Sequence, residues 1–154
     1  MIEKIILAAG CFWSVQYKLS QLNGVVNTLA VYAGGETANP TYEQVCSDET
    51  GHAEAVLVEY NTDILSTGEL LRYFFQIHDA SQKDRQGPDI GTQYRSAIFY
   101  FTDEQKREAE LVINEMKNDK YYKGLTIQTL ILEATTFYKA EEYHQNYYIK
   151  KDIN

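Results

Sequence analysis

The sequence is short of cysteines, of cations and of long apolar runs, and each shortage removes a class of protein. Two cysteines, Cys11 and Cys46, cannot build a disulfide framework, and no CxxC pair is present. Three histidines, His52, His78 and His144, lie far apart with no HxxxH or paired-cysteine spacing, so no metal site is expected. Lys and Arg number 14 against 22 Asp and Glu, a net charge of −8. That balance argues against nucleic acid and anionic membrane as partners, since both reward clustered cations. No stretch approaches the ~20 apolar residues of a membrane span. The segment "IILAAGC" resembles a lipoprotein cleavage site, but its apolar run covers only residues 5–9 and Glu3 sits in the head region. A secretory signal needs roughly 7–15 apolar residues after a positive start. A cytoplasmic, reducing setting is expected. Repeats, low-complexity tracts and composition shifts are absent too, so the expectation is one domain over residues 1–154, acting as a monomer.

What is there suits a soluble globular chain. Of 154 residues, 44% are hydrophobic and 23% charged. A chain of this size buries roughly two-thirds of its unfolded surface and needs no staple. Thirteen tyrosines hint at a polar-aromatic pocket. "KIILAA" reads as a buried strand ending at Gly10, followed by a helix that starts at or just after Cys11 and carries Val15, Leu19 and Leu22 on one face. "VVNTLAVYAGG" reads as a second strand. Residues 36–52 form a long polar connection with one helical turn at residues 41–45. "AEAVLVEY" alternates: Ala55, Leu57 and Glu59 face one way, Glu54, Val56, Val58 and Tyr60 the other. Then follow a helix capped by Ser66 or Thr67, a polar loop over residues 80–94, the strand "RSAIFYF", a helix capped by Thr102 or Asp103, the strand "QTLILEATTFY", and a C-terminal helix or extended tail. The opening β-α-β-β-α-β order predicts an α+β fold: a ferredoxin-like split βαβ core with an extra helix, strand and C-terminal tail.

Two side chains stand out chemically. Cys11 falls at a strand-to-helix junction, where free backbone N–H groups favour a thiolate and lower the thiol pKa. Phe12 and Trp13, the only tryptophan, follow it as an aromatic wall. A free cysteine more often simply packs. Glu54 is a carboxyl on an otherwise apolar strand face, where burial raises its pKa and keeps a proton available to donate. The plain alternative is a strand-edge glutamate in water.

Together these segments resemble the A-type peptide methionine sulfoxide reductases. The matching stretches are "GCFW" at 10–13, "YAGG" at 32–35, "NPTYEQVCSDETGHAEAV" at 39–56, "HD" at 78–79, "RQGPDIGTQYRSAIFY" at 85–100 and "FYKAEEYHQNY" at 137–147. They run in the family's order over nearly the whole chain. The resemblance implies reduction of methionine-S-sulfoxide, free or in oxidised proteins, as repair of oxidative damage. By resemblance Cys11 is the nucleophile and Glu54 protonates the sulfoxide oxygen. Tyr42 and Tyr94 hydrogen-bond that oxygen, Phe12 and Trp13 receive the S-methyl group, and Asp89 helps place the substrate. His52 and Gln93 are supporting neighbours. No bound cofactor is implied. Cys11 becomes a sulfenic acid that a thiol must reduce. The family commonly carries further cysteines in a C-terminal tail, but no cysteine follows Cys46 here. Either Cys46 resolves the sulfenic acid or an external thiol does; an external one is expected, from thioredoxin, glutaredoxin or a small thiol. Ser14, Ala80 and Pro88 depart from the family's usual Gly, Pro and Asn.

Two other classes remain open on sequence alone. A Cys-His hydrolase needs a histidine against Cys11. A binding module would use the aromatic pocket to capture a methyl-bearing ligand and would tolerate Cys11→Ser.

Overall fold

Strand alternation and helix caps lay down the architecture, seen here in a computed structural model that describes residues 1–153. The elements run β1 (Ile2–Ala9), α1 (Phe12–Ser20), β2 (Val25–Ala33), α2 (Tyr42–Cys46), β3 (Ala53–Asn61), α3 (Thr67–Gln76), β4 (Arg85–Gln86), β5 (Asp89–Ile90), β6 (Ser96–Tyr100), α4 (Asp103–Met116), β7 (Leu130–Glu133), β8 (Phe137–Lys139) and α5 (Tyr147–Ile153). Single 3-10 turns sit at Thr92–Tyr94 and Glu142–His144. The main sheet has the order β7-β6-β1-β3-β2-β8. Its four central strands, β6-β1-β3-β2, are all antiparallel and form the split βαβ core that the element order predicts. The caps are explicit. Ser66 with Glu69, and Thr41 with Gln44, close reciprocal capping boxes, and Thr102 accepts from the Gln105 N–H.

The two sheet faces differ in character. Ile5, Leu7, Tyr32, Val56, Val58, Tyr60 and Ile98 meet helices α1, α3 and α4 through Phe12, Val15, Leu19, Leu70, Phe74, Ala109 and Val112. The other face is built from small residues, with Ala8, Ala33, Ala53, Ala55 and Ala97 beside Val31 and Phe99. Because both faces are covered, β1 reads as a continuous apolar run.

One expected element is corrected. "QTLILEATTFY" is not one strand. Its first half, β7, runs parallel to β6 at one edge of the sheet, and its second half, β8, runs antiparallel to β2 at the other. Between them the chain crosses the alanine-rich face, where Ala134 and Phe137 pack. Small side chains let a backbone lie close there. The polar loop over residues 80–94 also holds more order than expected, since β4 and β5 pair as a hairpin. The C-terminal segment takes the helical of the two expected forms, a 3-10 turn and then α5.

Candidate active site

Gly10 ends β1 with a φ of 94°, a left-handed conformation that favours glycine, and a Cβ there would come within 2.8 Å of the Gln86 Cβ. The next residue, Cys11, is the N-cap of α1. Its sulfur closes no capping hydrogen bond, but the Trp13 and Ser14 N–H groups act on it and favour the anion.

The sign of the outcome differs from the sequence expectation. Burial first, then the negative charge of Glu54, pushes the Cys11 thiol up to about 11. The helix start pulls the other way and is outweighed, because desolvating a thiolate costs more than two backbone dipoles return.

Glu54 lies on the α1 side of β3, 1% exposed. One carboxyl oxygen accepts the Phe12 N–H at 3.2 Å, and the other is buried with no partner. Burial raises this carboxyl to about 7, against the Phe12 hydrogen bond that lowers it. A group held this way keeps its proton near neutrality and has a free oxygen to present it from.

The other sequence-selected residues converge here from separate elements. Tyr42 starts α2, and its hydroxyl lies against the Cys46 thiol one turn along. Tyr94, in the 3-10 turn after β5, responds to the charges of Glu54, Cys46, Asp89 and Cys11. Burial raises both phenols above their ordinary range, so both remain neutral donors. Asp89 sits half-buried in β5, and its charge acts on Cys11, Glu54 and Tyr94. Phe12 is buried and Trp13 half-buried. The Trp13 ring packs on Tyr147 at 3.8 Å between centroids. Cys46 is exposed on α2; burial of its sulfur raises the thiol, with Glu54 and Glu43 adding to the effect and Tyr42 opposing it.

Each histidine is hydrogen-bonded to a group other than the thiol. His52 accepts the Gly35 N–H at Nδ1 and donates from Nε2 to the Thr37 carbonyl, which shapes the loop before β3. His78 donates from Nδ1 to the Phe74 carbonyl and accepts from Ser96 at Nε2. His144 bonds Trp13. His52 and His78 spend both ring nitrogens on other partners and are not free to serve as the base of a Cys-His hydrolase; His144 spends Nδ1 on Trp13. Gln93 is buried under Gly91 with its carbonyl oxygen unpartnered.

Sequence reasoning passed over the residues that hold the site together. Glu141 accepts the Tyr32 hydroxyl at 2.8 Å and the Tyr42 N–H at 2.9 Å, which fixes the start of α2. Gln86 accepts the Asp79 N–H and donates to the Asp79 carbonyl, latching the 80–94 loop beside Gly10. Both fall inside matched motifs, "KAEEY" and "RQGPD", which was the available signal. A concavity of about 460 Å³ between Phe75, His78, Met116, Asp119 and Tyr121 lies apart from these groups. Among the described residues no helix could cross a membrane, and no cluster of three His, Cys, Asp or Glu could hold a metal.

The chain is similar to known proteins over nearly its whole length. The family model described as peptide methionine sulfoxide reductase matches residues 3–154. The peptide methionine sulfoxide reductase MsrA of Methanosarcina mazei is 49% identical over 150 residues, 97% of this chain and 71% of that protein. Reduced Mxr1 from Saccharomyces cerevisiae superposes with a TM-score of 0.90 at 37% identity, covering 99% of this chain and 87% of that one. Mxr1 in complex with Trx2 matches with a TM-score of 0.66 at 26% identity, over 95% and 84% of the two chains.

Proposed function

The chain belongs to the peptide methionine sulfoxide reductase family, and from that premise we propose that it reduces methionine-S-sulfoxide, protein-bound and free, through a thiol cycle centred on Cys11. The observation that carries this mechanism is the buried Glu54, proton-holding near neutrality, beside a cysteine at a helix start.

Sulfoxide oxygen leaves poorly as an oxide. Glu54 gives its proton to that oxygen while the Cys11 sulfur, as thiolate, attacks the sulfoxide sulfur. Tyr42 and Tyr94 donate hydrogen bonds to the same oxygen. Phe12 and Trp13 receive the S-methyl group, and Asp89 orients the rest of the substrate. Oxygen passes to Cys11. The substrate sulfur gains two electrons and leaves as a thioether, and Cys11 loses two and becomes a sulfenic acid. An external thiol then condenses with the sulfenic acid, releasing water and forming a mixed disulfide. A second thiol attacks that disulfide and returns Cys11 to the thiol.

Thioredoxin is the favoured donor, since the relative Mxr1 has been solved with Trx2; glutaredoxin or a small thiol is the alternative. Cys46 is the weaker resolver: it is exposed on α2, and its thiol is raised by burial and hydrogen-bonded to Tyr42. A reducing compartment such as the cytoplasm suits the cycle.

The test is dithiothreitol-driven reduction of each sulfoxide epimer, with the oxidised protein weighed afterwards. The expected result is turnover of the S epimer only, total loss in Cys11→Ser, and an oxidised form heavier by one oxygen. Equal turnover of both epimers, or activity in Cys11→Ser, overturns the mechanism. An oxidised form lighter by two hydrogens would make Cys46 the resolver.

A further inference from the structure

Trp13 is held by a residue that has no role so far. The indole N–H is the ring's single hydrogen-bonding group, and it donates to His144 Nδ1 at 2.9 Å. An indole can only donate. Nδ1 must therefore carry its lone pair, and the one proton of the neutral imidazole sits on Nε2. His144 is 1% exposed, and its Nε2 is buried with no partner. This ring is not merely filler, because its orientation is dictated by the tryptophan it serves.

The surroundings fix the ring from several directions. Phe12 and Tyr42 pack on it at 5.1 and 4.4 Å between centroids, and Tyr143 at 4.2 Å. The segment carrying it is clamped in turn. The Gln145 amide accepts the Ala30 N–H and donates to the Ala30 and Ala140 carbonyls, and Gln16 on α1 accepts the Asn146 N–H. Trp13 thus lies between two groups of the C-terminal segment, hydrogen-bonded to His144 and packed at a tilt against Tyr147.

We propose that His144 is a positioning residue for sulfoxide reduction: as acceptor at Nδ1 it fixes the Trp13 face of the methyl pocket, and on taking a second proton it lets that face go. The inference rests on the assignment of Trp13 to the methyl pocket. Protonation would set Nδ1–H against the indole N–H, donor to donor. The groups facing His144 oppose one another. Burial disfavours the imidazolium, while the carboxylates of Glu141, just before the 3-10 turn, and Glu43 on α2 favour it. Tyr42, Tyr143 and, beyond Trp13, Tyr147 complete the titratable neighbours. Burial prevails, so the release falls on the acid side of the ordinary histidine range.

A spectroscopic test is available because Trp13 is the only tryptophan. Emission of the unmodified protein should shift in one acid transition. His144→Asn puts a non-titrating acceptor at the Nδ1 position, and His144→Phe keeps a ring without one. In His144→Asn the transition should vanish, while KM at neutral pH stays within about twofold; in His144→Phe emission should move at neutral pH and KM rise about tenfold, with kcat changed far less. Circular dichroism over the same pH range separates the transition from acid unfolding, and His144→Asn keeps the test open if His144→Phe fails to fold. Identical emission and KM in the two variants would reduce His144 to packing and overturn the proposal, as would an unmodified protein with no acid transition. If the unmodified chain reduces no sulfoxide, the proposed function fails instead, and the emission titration still judges the Trp13–His144 bond.

Discussion

Cys11 and Glu54 both hold their protons at neutral pH, one by a wide margin and one narrowly, with pKa values of about 11 and about 7. They titrate as a pair, so the reacting form, with the proton on Glu54 and none on sulfur, belongs to the singly protonated pair. As pH rises to about 7 the pair loses its first proton, and kcat/KM should climb and then level. Steady-state rates from acid to mildly alkaline pH check this; a profile falling through neutrality would contradict it. Glu54→Gln separates the two roles. Removing a nearby negative charge lowers the thiol pKa, so iodoacetamide should alkylate Cys11 several-fold faster at mildly alkaline pH. Sulfoxide reduction in the same variant should fall by 10²-fold or more for want of the proton donor.

The C-terminal segment contributes to the site as an element. It holds no reacting group, but it supplies Glu141 to α2, His144 to Trp13 and Gln145 to β2. The Gln145 side chain occupies both hydrogen-bonding groups of Ala30, a fully buried residue. Gln145→Ala leaves the Ala30 N–H unpaired, while the carbonyl keeps the Ala140 N–H, and should cost about 1–3 kcal/mol, read from urea unfolding, together with faster amide exchange at Ala30. The turn after β2 is equally intolerant. A Cβ on Gly35 would lie 2.3 Å from the His52 nitrogen and 2.5 Å from the Thr50 oxygen, both backbone atoms. Gly35→Ala should therefore lower stability by more than about 2 kcal/mol and disturb the loop that leads into Glu54.

Across the whole molecule, buried Glu54 and half-buried His78 push stability in opposite directions with pH. Glu54 is raised from 4.5 to about 7, so the folded state binds the extra proton and its contribution is lost as pH rises through that window. His78 is lowered from 6.5 to about 4, so the unfolded state binds the extra proton and stability is lost as pH falls through that window. Single variants separate the two. Glu54→Gln should gain about 3 kcal/mol over the unmodified protein at pH 8 and nothing at pH 4. His78→Asn should flatten the acid loss by roughly 2 kcal/mol, since the ring is only half-buried against solvent. Denaturant midpoints across pH measure both slopes.

Alternation and capping are local, so the sequence alone determined the split βαβ core and the face of β3 that carries Glu54, and narrowed the helix caps to Ser66 or Thr67 and Thr102 or Asp103, of which the structure uses the first of each pair. Local chemistry likewise picked out Cys11 and Glu54, and the resemblance to the reductase family added Tyr42, Asp89 and Tyr94; the fold brings all five to one place. The tertiary structure alone decided what depends on distant neighbours. The last apolar stretch divides between two sheet edges because strand pairing depends on which partners are open, and no period-two pattern encodes that. The helix start favours a thiolate at Cys11, but burial under the fold reverses the balance. The contacts of Glu141 with Tyr42 and of His144 with Trp13 span 99 and 131 residues. Hydrogen bonds of that reach exist only once the chain has closed on itself, so the residues around the thiol were legible in order and their protonation only in space.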